Sequence, residues 1–176
     1  MNAPVAITTS VDEGYLVVGQ MGEISEKPDS LLGFYENGEL LGKFTTPLSD
    51  ITGLAYGVKK KPARLYAIDY NWSDTSKGGL FKIIADKENP MSNCLAEKLI
   101  PLDKPTAMVF DATGNLYITL IGTSLPGIEG PSGRLIKIKG LEDPKKKKKD
   151  DKDKKDGDEK DGDKVEKEGK RTSTFK

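Results

Sequence analysis

The chain has 176 residues, with 28 basic and 28 acidic side chains, no histidine, one cysteine and 35% apolar residues. That length fits one domain, and the composition excludes an intrachain disulfide and any chemistry that needs an imidazole from this chain. Charge is unevenly spread: residues 144–176 hold 14 basic and 10 acidic groups, leaving 14 basic against 18 acidic groups in residues 1–143, a balance that argues against a nucleic-acid surface.

The first segment, "APVAITTSVDEGYLVVGQMG" (3–22), reads as two short strands around a polar turn containing Gly14. A polar loop leads to a third apolar run, "SLLGFY" (30–35), and Asn37-Gly38 joins it to a fourth, "ELLGKFTT". Asn-Gly between two apolar runs is a strong hairpin signal. The pattern then restarts with "TPLSDITGLAYG" (46–57), which continues after "VKKKPA" into "RLYAIDYNW", "GLFKII" (79–84) and "CLAEKLIP". A third copy, "KPTAMVFDATGNLYITLIG" (104–122), aligns with both earlier ones. Pro4, Ala6 and Ile7 fall against Pro105, Ala107 and Met108, and Leu16 and Gly22 fall against Leu116 and Gly122. Its third run is "RLIKIKG" (134–140), and no fourth run follows. Four short antiparallel strands recurring at a period of about 50 residues are the signature of β-propeller blades. The predicted fold is therefore all-β: three four-stranded blades, 1–48, 49–103 and 104–141, the last lacking its outer strand, within a body of residues 1–143.

Residues 144–176, with Val165 and Phe175 as their only apolar side chains, are expected to form a disordered Lys/Asp-rich tail, because they cannot bury enough surface to offset the entropy of ordering. "DKDKKDGDEKDGD" has the look of a calcium loop, but Gly157 stands where the first acidic ligand is needed, so the match is rejected. "MNAPVAITTS" has no signal-peptide character and no run approaches membrane-spanning length. The expectation is a cytoplasmic chain with no membrane contact, if residue 1 is the natural start. Three blades short of one strand cannot close a ring, so the segment is expected to be the C-terminal part of a longer propeller, in preference to a homodimer completing six blades. Unclosed, it would leave apolar residues such as Leu31, Leu80 and Leu135 without a neighbour.

The stretch "PTAMVFDATGNLYIT" resembles the blades of six-bladed propellers of the NHL and SMP-30/gluconolactonase-like group, through Asp111, Gly114, Asn115, Leu116 and Tyr117. "LYAIDYN" is similar to a strand of the NHL repeat through Leu65, Tyr66 and Asp69. The resemblance implies a ligand face at one end of the blades. It also leaves open a divalent metal held by carboxylate and amide oxygens, as in gluconolactonase-like members, whereas the histidine-dependent activities of related propellers are disfavoured.

On such a fold the connections between second and third strands share one face with those between blades, and long loops converging there carry function. They supply Glu23, Glu26, Asp50, Asn71, Trp72, Asp74, Asp103 and Glu129. Asp69 stands out because Gln20 and Leu120 occupy its place in the other copies; it either caps the following loop or acts as a ligand or base. Trp72, the single tryptophan, either stacks on a sugar or partner surface or plugs its loop. Asp50 and Asp103 both suit turn positions, and Cys94 reads as a buried hydrophobe. The preferred reading is a non-catalytic binding or scaffold segment with no cofactor and no assignable catalytic residue, taking a protein or a small carbohydrate-like ligand on its loop face. The alternative is a metal-dependent lactonase-type hydrolase in which Asp69, Asp50, Asp103 and Asn71 bind calcium or another divalent metal.

Overall fold

The structure, a computed structural model, describes residues 3–10, 12–23, 27–123 and 132–142. The expected tail, the rejected calcium loop, Glu26 and Glu129 lie outside them. The chain divides between Pro144 and Lys145, and every described residue belongs to the first unit.

Eleven strands form among the described residues, in three antiparallel meanders. The first sheet takes β1 (Pro4–Thr9), β2 (Leu16–Gln20), β3 (Leu31–Glu36) and β4 (Glu39–Thr45) in that order. The second takes β5 (Ile51–Tyr56), β6 (Leu65–Asp69), β7 (Gly79–Ala85) and β8 (Cys94–Pro101). The third takes β9 (Pro105–Phe110), β10 (Leu116–Leu120) and β11 (Arg134–Ile138). Each sheet pairs neighbours in sequence, the up-and-down order of a propeller blade. Local chemistry sets the hairpins. Asn37 and Gly38 both adopt positive φ, 49° and 84°, which the twist-compatible two-residue turn between β3 and β4 requires.

Repeat positions map onto repeat registers. Leu16 pairs with Thr9, Leu65 with Tyr56 and Leu116 with Phe110, so these three leucines are structural equivalents. Because strand side chains alternate between faces, every blade offers one face to the blade before it and the other to the blade after it. The core accordingly splits in two. Ala6, Val17 and Leu32 of the first blade meet Leu54, Leu65, Ala67 and Phe81 of the second. Tyr66, Ile68 and Leu80 on the second blade's other face meet Leu116, Ile118 and Met108 of the third. All five residues of β6 are buried as a result.

Of the three leucines expected to lack a neighbour, Leu135 is 68% exposed and Leu31 half-buried, but Leu80 is fully buried. That expectation is corrected for Leu80: it belongs to the middle blade, whose two faces are both covered.

Candidate functional site

The strand ends of the first two blades meet in a polar knot made by the interblade turn 46–50. Ser30 Oγ donates to the Ser49 carbonyl at 2.6 Å and accepts from the Ile51 amide at 3.2 Å, while Thr46 Oγ1 donates to the Ser30 carbonyl at 2.9 Å. Asp69, at the end of β6, aims its carboxylate into the same turn. It accepts from the amides of Asp50 at 2.7 Å, Ser49 at 3.2 Å and Asn71 at 3.2 Å. Of the two roles open to Asp69, the structure therefore shows the cap, which the apolar Leu120 at the same place in the third blade cannot make.

Asp50 continues the knot in the opposite direction. Its Oδ2 accepts from the Trp72 amide at 2.5 Å and its main-chain carbonyl accepts from the Tyr70 amide at 2.9 Å. The residue is only 2% exposed. Burial pushes its carboxyl above the ordinary aspartate range; the Trp72 amide opposes this, and the charges of Asp69 and Asp29 add to it. Asn71 sits at φ 49°, donates from Nδ2 to Ser49 Oγ at 3.3 Å and accepts the Asp74 amide at 3.2 Å. Asp74 caps the short 3₁₀ turn Thr75–Lys77 by accepting from Ser76 N and Oγ, and pairs with Lys77 at 3.3 Å.

These bonds hold the loop that displays Trp72. Its ring stacks on Tyr70 with centroids 5.0 Å apart and planes 19° from parallel, and it remains 54% exposed. Tyr70 is the buried half of the pair, so the indole packs on the protein while more than half of it stays exposed. Further along the same loop, Thr75 and Ser76 line a cavity of about 310 Å³ together with Pro101, Leu102, Asp103 and Thr123.

The predicted site residues thus separate. Asp50, Asp69, Asn71, Trp72 and Asp74 form one bonded network, Asp103 lies in the cavity, and Glu23 is exposed with its amide on Asp29 Oδ2 at 3.1 Å. Among the described residues, no three Cys, Asp or Glu side chains gather in a way that could hold a metal. Cys94 is half-buried against the first interblade core, and burial pushes its thiol up to about 11, which keeps it protonated and unreactive.

Asp29, Ser30 and Ser49 are members of the knot that the sequence did not single out. "PDS" and "LSD" read as ordinary turn chemistry, and only the pairing of distant turns gives them partners. The Asp111–Tyr117 stretch that carries the resemblance is itself a turn device. Asp111 accepts from Asn115 Nδ2 and from the Thr113 and Asn115 amides, and Leu116 is buried behind it. No family model matches the chain, and no curated protein matches it.

Proposed function

We propose that the chain is a non-catalytic binding segment of a β-propeller of the NHL or SMP-30/gluconolactonase-like group, its loop face taking a sugar-like polyhydroxylated ligand. The observation that carries this reading is the half-exposed Trp72 ring, stacked on Tyr70 and fixed by its own amide on the buried Asp50. A preorganised aromatic face loses little entropy on binding, and the neighbouring cavity offers the hydroxyls of Thr75 and Ser76 and the Asp103 carboxylate as hydrogen-bonding groups. Sheet faces left uncovered at Leu16 and Leu135 support reading the three blades as part of a larger ring.

The lactonase-type alternative is the weaker reading. Two of its four ligands, Asp69 and Asn71, already have their side chains bonded within the protein. A single tryptophan makes the test direct. Titration with soluble oligosaccharides is expected to change Trp72 emission saturably, and Trp72→Ala is expected to abolish binding measured by calorimetry while leaving the β-sheet circular dichroism unchanged. Binding that survives Trp72→Ala would remove the platform from the proposal.

A further inference from the structure

The repeat stops short at the outer edge of the third blade. In the first two blades the third strand is paired on both sides, β3 with β2 and β4, and β7 with β6 and β8. β11 is paired with β10 alone, and among the described residues no strand lies beyond it. Its outer row of main-chain N–H and C=O groups is a template for one more strand.

The shared registers say what that strand must carry. Tyr66 and Tyr117 each follow the equivalent leucines Leu65 and Leu116; Tyr66 pairs with Lys82 on the third strand of its blade, and Tyr117 with Lys137. Lys82 and Lys137 are therefore structural equivalents. Lys82 stands opposite Glu97 of β8, and the two side chains form an ion pair. Lys137, with no described residue opposite it on that side, places its ammonium over the Tyr117 ring at 4.9 Å. The neighbouring positions agree. Phe81 and Ile136 are equivalents, pairing with Ala67 and Ile118, and each faces a covering blade. Phe81 has Lys98 of β8 opposite it, with the ammonium 5.7 Å from its ring, and is buried; Ile136 is only half-buried. Two residues before each lysine, Leu80 stands opposite Ile100, while Leu135, which also lacks a described blade after it, is exposed.

We propose that β11 takes an extended segment of a protein partner as its fourth strand, antiparallel to it as β8 is to β7, with a carboxylate opposite Lys137 and an apolar side chain opposite Leu135. Charge argues for the acid. Residues 134–139 carry Arg134, Lys137 and Lys139 and no acidic group, so a segment presenting lysine there would meet like charge. Main-chain hydrogen bonds along the edge supply the attraction, and the side-chain pairs fix the register. The edge shares no residue with the Trp72 loop or its cavity, so the proposal does not depend on whether Trp72 binds a ligand.

The probe is a synthetic peptide of the β8 sequence, residues 94–101 with serine in place of Cys94, which already presents Glu97 and Ile100 in this register to β7. It is titrated into the isotope-labelled full chain and followed by nuclear magnetic resonance. Saturable binding is expected, with amide shifts and slowed hydrogen exchange centred on Arg134–Ile138. Lys137→Glu is expected to weaken binding at least about fivefold. A second peptide, with lysine in place of Glu97, is expected to reverse the preference and bind the Lys137→Glu chain better than the wild type, which also shows that the variant is folded. Lys43→Glu, at an exposed lysine of β4, is expected to change binding by less than about twofold. The proposal is overturned if the first peptide does not bind, if the shifts fall on another edge, or if Lys137→Glu leaves its binding unchanged. It is equally overturned if the swapped peptide fails to recover binding to Lys137→Glu, since the two charges would then not face each other.

Discussion

The middle blade and the two that flank it are built from the same repeat, yet they stand in different surroundings. Leu16 and Leu116 occupy the same register position, on the face that each blade turns toward its predecessor. Leu116 is fully buried against the second blade, while Leu16, with no described blade before it, is 38% exposed. The same holds on the opposite face, where Tyr66 is buried by the third blade and Tyr117 is left half-exposed, its ring approached by Lys137 at 4.9 Å. The difference teaches that burial in this protein is a property of blade neighbours and is not fixed by the residue or its strand position.

The comparison is sharpened by truncating equivalent positions. Leu116→Ala is expected to cost about 2–5 kcal/mol in chemical denaturation, the range for opening a cavity at a fully packed leucine. A value near zero would show that the second interblade core is loosely packed. Asp69→Ala comes next, at about 2–3 kcal/mol, because the Asp50, Ser49 and Asn71 amides lose a charged acceptor where water has poor access. Asp69→Asn, which keeps one carbonyl oxygen, is expected to recover part of that loss. Leu16→Ala should be the smallest, below about 1 kcal/mol in the isolated chain, as for other substitutions away from packed cores. A cost close to that of Leu116→Ala would mean that this face is covered in solution, and light scattering against the 19.2 kDa chain mass would show by what.

Strand order and turn chemistry were legible from the sequence because they are local. Alternation over five or six residues marks β2 and β10, and Asn37-Gly38 marks a hairpin without knowledge of anything else. Asp69 was legible as unusual, since the other blades carry no acid there. What stayed hidden was set by residues far apart in the chain. Leu80 looked like its counterparts in the flanking blades until the sheets stacked around it. Asp29 looked like a turn residue, and its environment depends on Gly22 and on Ser49, twenty residues further on.

Glu142 is the sharpest case. It stands just before the lysine-rich tail, yet it is 1% exposed and accepts the Lys59 amide at 2.8 Å. Its carboxylate occupies the space where Gly57 has no side chain, and its charge adds to the burial that raises the pKa of Tyr66. No local pattern announces a carboxylate whose partner is a main-chain amide 83 positions away.

The complete burial of β6 also has a consequence for motion. In a stack where each sheet leans only on its neighbours, stability is a sum of nearest-neighbour terms, and opening begins where one of those terms is missing. Among the described residues the first and third blades each share one interface, whereas β6 lies between two, so in the isolated chain its amides are expected to open only after a flanking blade has moved. Hydrogen exchange measured on the isolated chain is therefore expected to follow blade order more closely than strand order, slowest in β6 and graded outward, with the Trp72 loop rooted in the slowest-opening blade.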